Sequence, residues 1–289
     1  MIGSVQAIAA GVTLGALQRQ SLLDALDFRV LLCHALDLSR VSLITQSERA
    51  LTAGEAQRFS ALVQRRLDGE PVAYIVGQRE FFGLPFAVSE AVLIPRPDTE
   101  LLVELALERL PPSGRVLDMG TGSGAIAVAL AHSRPDAAVS ALDVSEAALA
   151  VARSNANANG ARVQFLRSDW FAALTEAGAE PFDVIASNPP YIASGDHHLS
   201  EGDLRYEPVN ALTDHADGLS ALRILVAGAP AHLAPQGWLL MEHGYDQAAA
   251  VRDLLAAAGY AEVQSWRDLA GIERVSGGRL PLPLPLPLP

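Results

Sequence analysis

The chain has 289 residues, half of them apolar, with a formal net charge of −12, a pI near 5.0 and a mean hydropathy of +0.22. That length accommodates one large domain or a medium domain with a small one attached, and the apolar fraction is enough for a sizeable core. The acidity excludes a broad nucleic-acid-binding face, which needs clustered Lys and Arg, and the single cysteine, Cys33, excludes an intrachain disulfide or a thiolate metal cage.

A reducing cytoplasm is the expected compartment. The uncharged opening run MIGSVQAIAAGVTLGALQ lacks the basic start of a secretory signal and is diluted by Gln6, Gly11, Thr13 and Gly15. It is read as the first helix of a soluble domain and not as a membrane span, with a secretory signal as the alternative. SLLDALDFRVLLCHAL repeats apolar residues every three to four positions, and TAGEAQRFSALVQRRLDGEP opens on Thr52 and Glu55 in capping-box spacing before closing on Gly69 and Pro71. Residues 1–77 are therefore expected to form a small helical domain. Over 78–95 the texture changes, because EFFGLPFAVSEAVLIP sets aromatic and branched residues around Gly83 and Pro85, as a β-hairpin connector does.

RPDTELLVELALERLPP then predicts a helix with acidic residues in its first turn and a Pro pair as its stop. Apolar strands and amphipathic helices alternate after it: RVLDMG, SGAIAVALAHS, AVSALD, SEAALAVARSNANANG, VQFLRSD, FDVIASN, WLLMEHG and DQAAAVRDLLAAAG. This predicts an α/β fold over 96–280, a Rossmann-like, mainly parallel sheet with helices on both faces. The closing PLPLPLPLP, residues 281–289, is expected to be a disordered polyproline-like tail, since Pro at alternate positions cannot donate to a ladder.

In VLDMGTGSGAIAVAL a strand is expected to end at Asp118 and a helix to begin near Ser123, with Gly120, Gly122 and Gly124 between them. Glycines let such a turn take positive φ and let a ligand approach the backbone at a helix N-terminus. The strand VSALD delivers Asp143 to the carboxyl edge of the sheet, where a carboxylate can accept both hydroxyls of a ribose. GTGSGA also fits the dinucleotide template, with Ala125 in the third small position, so the turn leaves a nicotinamide cofactor and S-adenosylmethionine both open.

The stretch DVIASNPPYIA decides between them. Asn188 follows what would be the fourth strand, and Pro189 and Pro190 fix φ at successive positions and remove two donors, leaving rigid carbonyl acceptors beside the Asn188 side-chain carbonyl. Together these accept both hydrogens of one planar –NH₂ group, with Tyr191 as a flat wall. An amide nitrogen is a poor nucleophile because its lone pair is delocalised, so orienting it beside a sulfonium methyl is the useful service. Hydride transfer has no use for such a loop, and S-adenosylmethionine is the expected cofactor.

NPPY behind a Gly-rich first turn resembles the amino-methyltransferases. VLIPRPDTE resembles one branch, the release-factor glutamine methyltransferases of the PrmC/HemK family, and the similarity continues through DVSEAALAVARSNA, SDWF, EPVNAL, DGL and a terminal GGRL. The resemblance implies a class I methyltransferase domain that acts on the glutamine of the Gly-Gly-Gln motif of peptide chain release factors. The helical domain, too small and too poorly supplied with polar constellations to hold chemistry, is expected to recognise the protein substrate. The resemblance places the cofactor on Gly120, Thr121, Gly122, Ser123, Gly124, Asp143, Trp170 and Asn188, with Trp170 beside the adenine, and the substrate amide on Asn188, Pro189, Pro190 and Tyr191. Asn188, Pro189 and Tyr191 carry the catalytic expectation. Arg96, Pro97, Asp98, Thr99 and Glu100 side with the release-factor branch against the ribosomal-protein glutamine methyltransferases, while LAGIERVSGGRL departs from the family's more basic segment and blurs the last strand.

Alternatives are methylation of adenine or guanine in nucleic acid, through a flipped base, or of a ribosomal-protein glutamine. The expected protein is a monomer with no nucleic-acid, membrane or metal partner. His197 and His198 sit among acids, but adjacent side chains diverge and methyl transfer needs no metal. Cys33 is expected in a helical core, Trp238 and Met241 in a buried strand, and Glu242 is a further candidate for cofactor contact.

Overall fold

The computed structural model describes residues 8–19 and 23–282, so the start of the opening run and residues 283–289 of the Pro-Leu tail lie outside the described residues. The chain divides into two units, Met1–Gln78 and Arg79–Pro289.

In the first unit α1 (Leu14–Arg19), α2 (Ala25–Leu36), α3 (Arg40–Thr45), α4 (Ala53–Leu67) and α5 (Val72–Val76) enclose a core in which Leu14, Leu31, Leu32 and Phe59 are fully buried. Phe28 meets Phe59 edge to face at 5.3 Å between ring centroids. Thr52 caps α4, and Glu55 returns the bond to the Thr52 backbone N–H. A reciprocal cap of this kind contributes about 1 kcal/mol, which explains why the sequence signal located the start of α4 so closely. Cys33 is half-buried at the edge of this core.

A hairpin of β1 (Gln78–Phe81) and β2 (Leu84–Ala87) turns at Phe82 and Gly83, both at positive φ (52° and 74°), the primed-turn geometry that matches strand twist. The Phe82 N–H donates to Glu100 Oε1 at 2.8 Å, and Phe81 and Phe86 are buried in the main core of the second unit. The hairpin expected as a connector is thus built into that core.

A short 3₁₀ turn (Pro97–Thr99) then leads into α6 (Glu100–Arg109), β3 (Arg115–Met119), α7 (Ala125–Ser133), β4 (Ala138–Asp143), α8 (Glu146–Ala158), β5 (Val163–Arg167), α9 (Ala172–Ala177) and β6 (Phe182–Ser187). Next come α10 (Val209–Leu212), α11 (Ser220–Gly228), β7 (Leu233–Glu242), α12 (Ala248–Ala257), β8 (Ala261–Arg267) and β9 (Glu273–Arg279). The strands form one seven-stranded sheet in the order β5-β4-β3-β6-β7-β9-β8, with β9 antiparallel to both neighbours and the other pairings parallel.

Strand residues alternate between the two faces, as the pleat requires. Val116, Val139, Val184 and Leu240 join the core under α6 and α7, while Leu117, Leu142, Ile185 and Leu239 join the core under α11 and α12. Arg109 lies 4.6 Å from the ring centres of both Trp238 and Trp266, closing one side of the sheet with a cation–π contact on each ring. The parallel register sets Met119 beside Leu142 and Ser187. The residues that follow these three therefore leave the carboxyl edge at the same level. The chain also reverses its winding direction around β3, and ligands of such sheets bind at that switch point.

Candidate active site

At that edge lies a cavity of about 330 Å³. Its lining includes Gly120, Thr121, Gly122, Ser123, Asp143, Trp170, Asn188 and Pro190. Pro189 is buried, and neither it nor Tyr191 nor Gly124 lines the cavity. A side chain at Gly124 would meet Ala152 of α8 at 3.0 Å, so its small size serves helix packing.

The Gly-rich turn is tied down from below. The Gly120 and Thr121 N–H groups both donate to the Leu142 carbonyl, at 2.9 and 2.8 Å. Gly122 N–H donates to Asp143 Oδ2 and Ser145 N–H to Asp143 Oδ1, each at 2.9 Å, so turn and acid fix one another. The strand runs one residue past the expected Asp118, because Met119 still pairs in the ladder, and the helix begins at Ala125 rather than Ser123, because Gly124 stands at φ 83° as its N-cap. Gly122 holds φ 54° with no atom within 4 Å of where a Cβ would stand. Trp170 is at φ 49°, a conformation uncommon for a bulky residue. Ser168 Oγ sustains it by donating to the Trp170 carbonyl at 2.6 Å and accepting from Ala173 N–H at 3.0 Å.

Asn188 Nδ2 donates to Thr99 Oγ1 at 3.1 Å, Thr99 Oγ1 donates to Glu242 Oε2 at 2.6 Å, and the Tyr191 hydroxyl donates to Glu242 Oε1 at 3.2 Å. Glu242 is therefore behind the Asn188 loop and off the cavity lining, not at the cofactor contact the sequence suggested. Burial pushes its carboxyl up to about 7 against the pull of the two hydroxyls. Burial, with Glu242 beside it, raises the Tyr191 phenol as well, which keeps it neutral. Gln247 Nε2 donates to the Tyr191 carbonyl at 2.9 Å, and a Cβ on Gly218 would stand 2.5 Å from that same oxygen, so only glycine lets the two segments approach. Beside the cavity, buried Glu207 pairs with Arg96 and accepts from Ile94 N–H at 3.0 Å, joining IPRPDTE to EPVNAL. His197 opens a short 3₁₀ turn, and among the described residues no cluster of three His, Cys, Asp or Glu suits a metal. Among the described residues no helix is long and apolar enough to cross a membrane.

Residues 97–202 match the Methyltransferase small domain, and residues 16–77 match the PrmC N-terminal domain. The release factor glutamine methyltransferase of Burkholderia pseudomallei is 58% identical over 277 residues, covering 93% of this chain and 96% of that protein. The chain belongs to the release factor glutamine methyltransferase family. The Neisseria gonorrhoeae member of this family is 53% identical over 260 residues, covering 90% of the chain and 94% of its own length. A solved methyltransferase from Pyrococcus furiosus, 21% identical with a TM-score of 0.53 over 77% of this chain and 100% of its own, shares the fold.

In this release factor glutamine methyltransferase family member, sequence reasoning missed Asn155 and gave Thr99 and Glu207 no individual role. Asn155 Nδ2 donates to the Ser123 and Ala87 carbonyls at 2.8 and 3.0 Å, and its Oδ1 accepts from Ala87 N–H at 2.8 Å, tying the Gly-rich turn to the hairpin. A signal was present, because Asn155 shares the buried face of α8 with Ala148, Leu149, Ala152 and Ala156.

Asp118 is fully buried, with Oδ2 accepting from Thr121 Oγ1 and Ala127 N–H while Oδ1 has no partner. Burial, with Asp143 nearby, pushes its carboxyl up to about 7. A folded-state value above the unfolded one means that the folded protein binds this proton more tightly. The stability it confers is complete below about pH 4, is lost as pH rises towards 7, and is absent above. Between pH 5 and 8, urea denaturation of the cofactor-free protein should show Asp118→Asn losing about 2 to 3 kcal/mol less stability than wild type, at 1.36 kcal/mol per pKa unit. An identical pH dependence in the two proteins would show that Asp118 does not titrate in this window.

Proposed function

We propose that this chain transfers a methyl group from S-adenosylmethionine to the side-chain amide nitrogen of the glutamine in the Gly-Gly-Gln motif of peptide chain release factors, as a cytoplasmic monomer without a nucleic-acid partner. The observation that carries the reading is the orientation of Asn188: its Nδ2 is committed to Thr99, so its carbonyl oxygen is left as the acceptor at the wall of the cavity built by Gly120, Gly122 and Asp143. The identity to release factor glutamine methyltransferases along nearly the whole chain supports the same substrate class.

The residues present fit S-adenosylmethionine. The cavity has space at Gly120 and Gly122 where a side chain would meet nothing, an acid at the end of β4 for a ribose, and the half-buried Trp170 for a flat base. When bound, S-adenosylmethionine supplies a methyl group activated by its sulfonium. Asn188 Oδ1 accepts one hydrogen of the substrate amide, and the carbonyl of Pro189, which is itself buried but joined directly to the lining residue Pro190, accepts the other. Held by both hydrogens, the nitrogen would turn its lone pair out of conjugation and towards the methyl carbon; the new C–N bond would replace the methyl's bond to sulfur, whose electron pair would stay on sulfur as a neutral thioether, and the surplus amide proton would pass to solvent. Recognition of the whole factor falls to the helical unit, whose α3 exposes Val41 and Ile44 one turn apart, at 68% and 76% exposure.

The reading is tested by incubating the protein with labelled S-adenosylmethionine and, separately, purified release factors, tRNA and duplex DNA. Label in the release factor glutamine is the expected result, and label on nucleic acid alone would overturn it. Asp143→Ala should weaken S-adenosylmethionine binding by about 1 to 3 kcal/mol, the worth of a charge-assisted pair of hydrogen bonds. Wild-type affinity by calorimetry would remove Asp143 from the ribose.

A further inference from the structure

The two ends of an Asn side chain are almost the same shape, and its terminal torsion is two-fold, so packing alone does not choose which end faces a ligand. Only the oxygen can accept from a substrate amide. We propose that Thr99 is a positioning residue for methyl transfer, whose hydroxyl, anchored by the Glu242 carboxylate, holds Asn188 Nδ2 and thereby turns the Asn188 carbonyl towards the substrate. This inference rests on the reading of Asn188 as the acceptor of the substrate amide.

Three observations carry it. Thr99 occupies the N-cap position of α6, where a Thr hydroxyl ordinarily accepts a backbone N–H of the first turn, yet its side chain makes no capping bond. Its hydroxyl is used instead across the fold, to β7 and to the loop after β6. A hydroxyl has one proton, and the proton of Thr99 goes to Glu242 Oε2 at 2.6 Å, so only a lone pair remains to face Asn188. That lone pair accepts the –NH₂ end and gives nothing to the carbonyl end. Finally, Glu242 receives the Tyr191 hydroxyl on its other oxygen, so two donors converge on one carboxylate that is 2% exposed. An ionised carboxylate is an acceptor only, and this sets the direction of the whole chain of hydrogen bonds. Asp98 and Arg274 are the charged groups that flank it, acting in opposite directions, and burial holds its carboxyl near 7. At pH 8 it is therefore ionised.

Single-turnover methylation of release factor at pH 8 with saturating S-adenosylmethionine tests the proposal. Thr99→Val, which keeps the shape and removes the hydroxyl, should slow transfer by about tenfold or more, with the KM for release factor and the affinity for S-adenosylmethionine within about twofold of wild type. Thr99→Ser should return the rate to within about threefold of wild type, because it restores the hydroxyl. In an Asn188→Ala background Thr99→Val should cost less than about twofold further, since it acts only through Asn188. Thr99→Ala, run alongside, guards against a fold defect from the added methyl and should be as slow as Thr99→Val. Wild-type rates in Thr99→Val and Thr99→Ala, failure of Thr99→Ser to rescue, or an undiminished effect in the Asn188→Ala background would each overturn the proposal. If Asn188→Ala itself transfers at the wild-type rate, the reading of Asn188 fails first. A slow Asn188→Ala beside a fast Thr99→Val sinks only the role of Thr99.

Discussion

Asn188→Ala is expected to cut the rate of methyl transfer to the release factor glutamine by on the order of a hundredfold or more, because the lost oxygen is one of the two acceptors that position the reacting nitrogen. The fold should stand. Asn188 is only half-buried, and its side-chain amide donates to Thr99, which keeps Glu242 as a partner when the amide is gone. Affinity for S-adenosylmethionine should fall much less than the rate does, since the Gly-rich turn and Asp143 are anchored to each other and to the Leu142 carbonyl independently of this loop. Single-turnover kinetics at saturating S-adenosylmethionine separate the two effects. Transfer as fast as wild type would mean that the Asn-Pro-Pro-Tyr loop shapes the backbone and does not hold the substrate.

Gly122→Val should abolish S-adenosylmethionine binding, with a loss of at least about 3 kcal/mol, or more than a hundredfold in affinity. A Cβ at this position meets no protein atom within 4 Å, so the added bulk points into the cavity where the ligand must lie. The backbone suffers too, because φ is 54° there and a β-branched residue in the left-handed region is a strained outlier. That strain also threatens the Gly122 N–H bond to Asp143 Oδ2 at 2.9 Å, which couples the turn to the ribose acid. Circular dichroism should show an intact fold, and calorimetry should show no binding. A folded variant that binds as tightly as wild type would take the turn out of the site.

By itself the sequence determined what is local and periodic. The capping box at Thr52 and Glu55, the alternation of apolar strands with amphipathic helices, the glycines of the first turn and the rigid Asn-Pro-Pro-Tyr loop depend on residues within a few positions of one another, and they stand in the structure as local elements. Local rules also account for where the reading blurred. β9 runs through Ser276, Gly277 and Gly278, which have no strand propensity, and it is a strand because β7 and β8 flank it and supply both ladders. Tertiary structure alone decided the partners of single polar atoms. Asn188 and Thr99 are 89 residues apart, Thr99 and Glu242 are 143 apart, and Ile94 and Glu207 are 113 apart, so no spacing rule joins them. Glu242 looked like a cofactor contact because it ends a strand at the carboxyl edge. Packing turned it instead to the buried hydroxyls of Thr99 and Tyr191, since a carboxylate removed from water must find donors and those two are the ones that folding brings within reach.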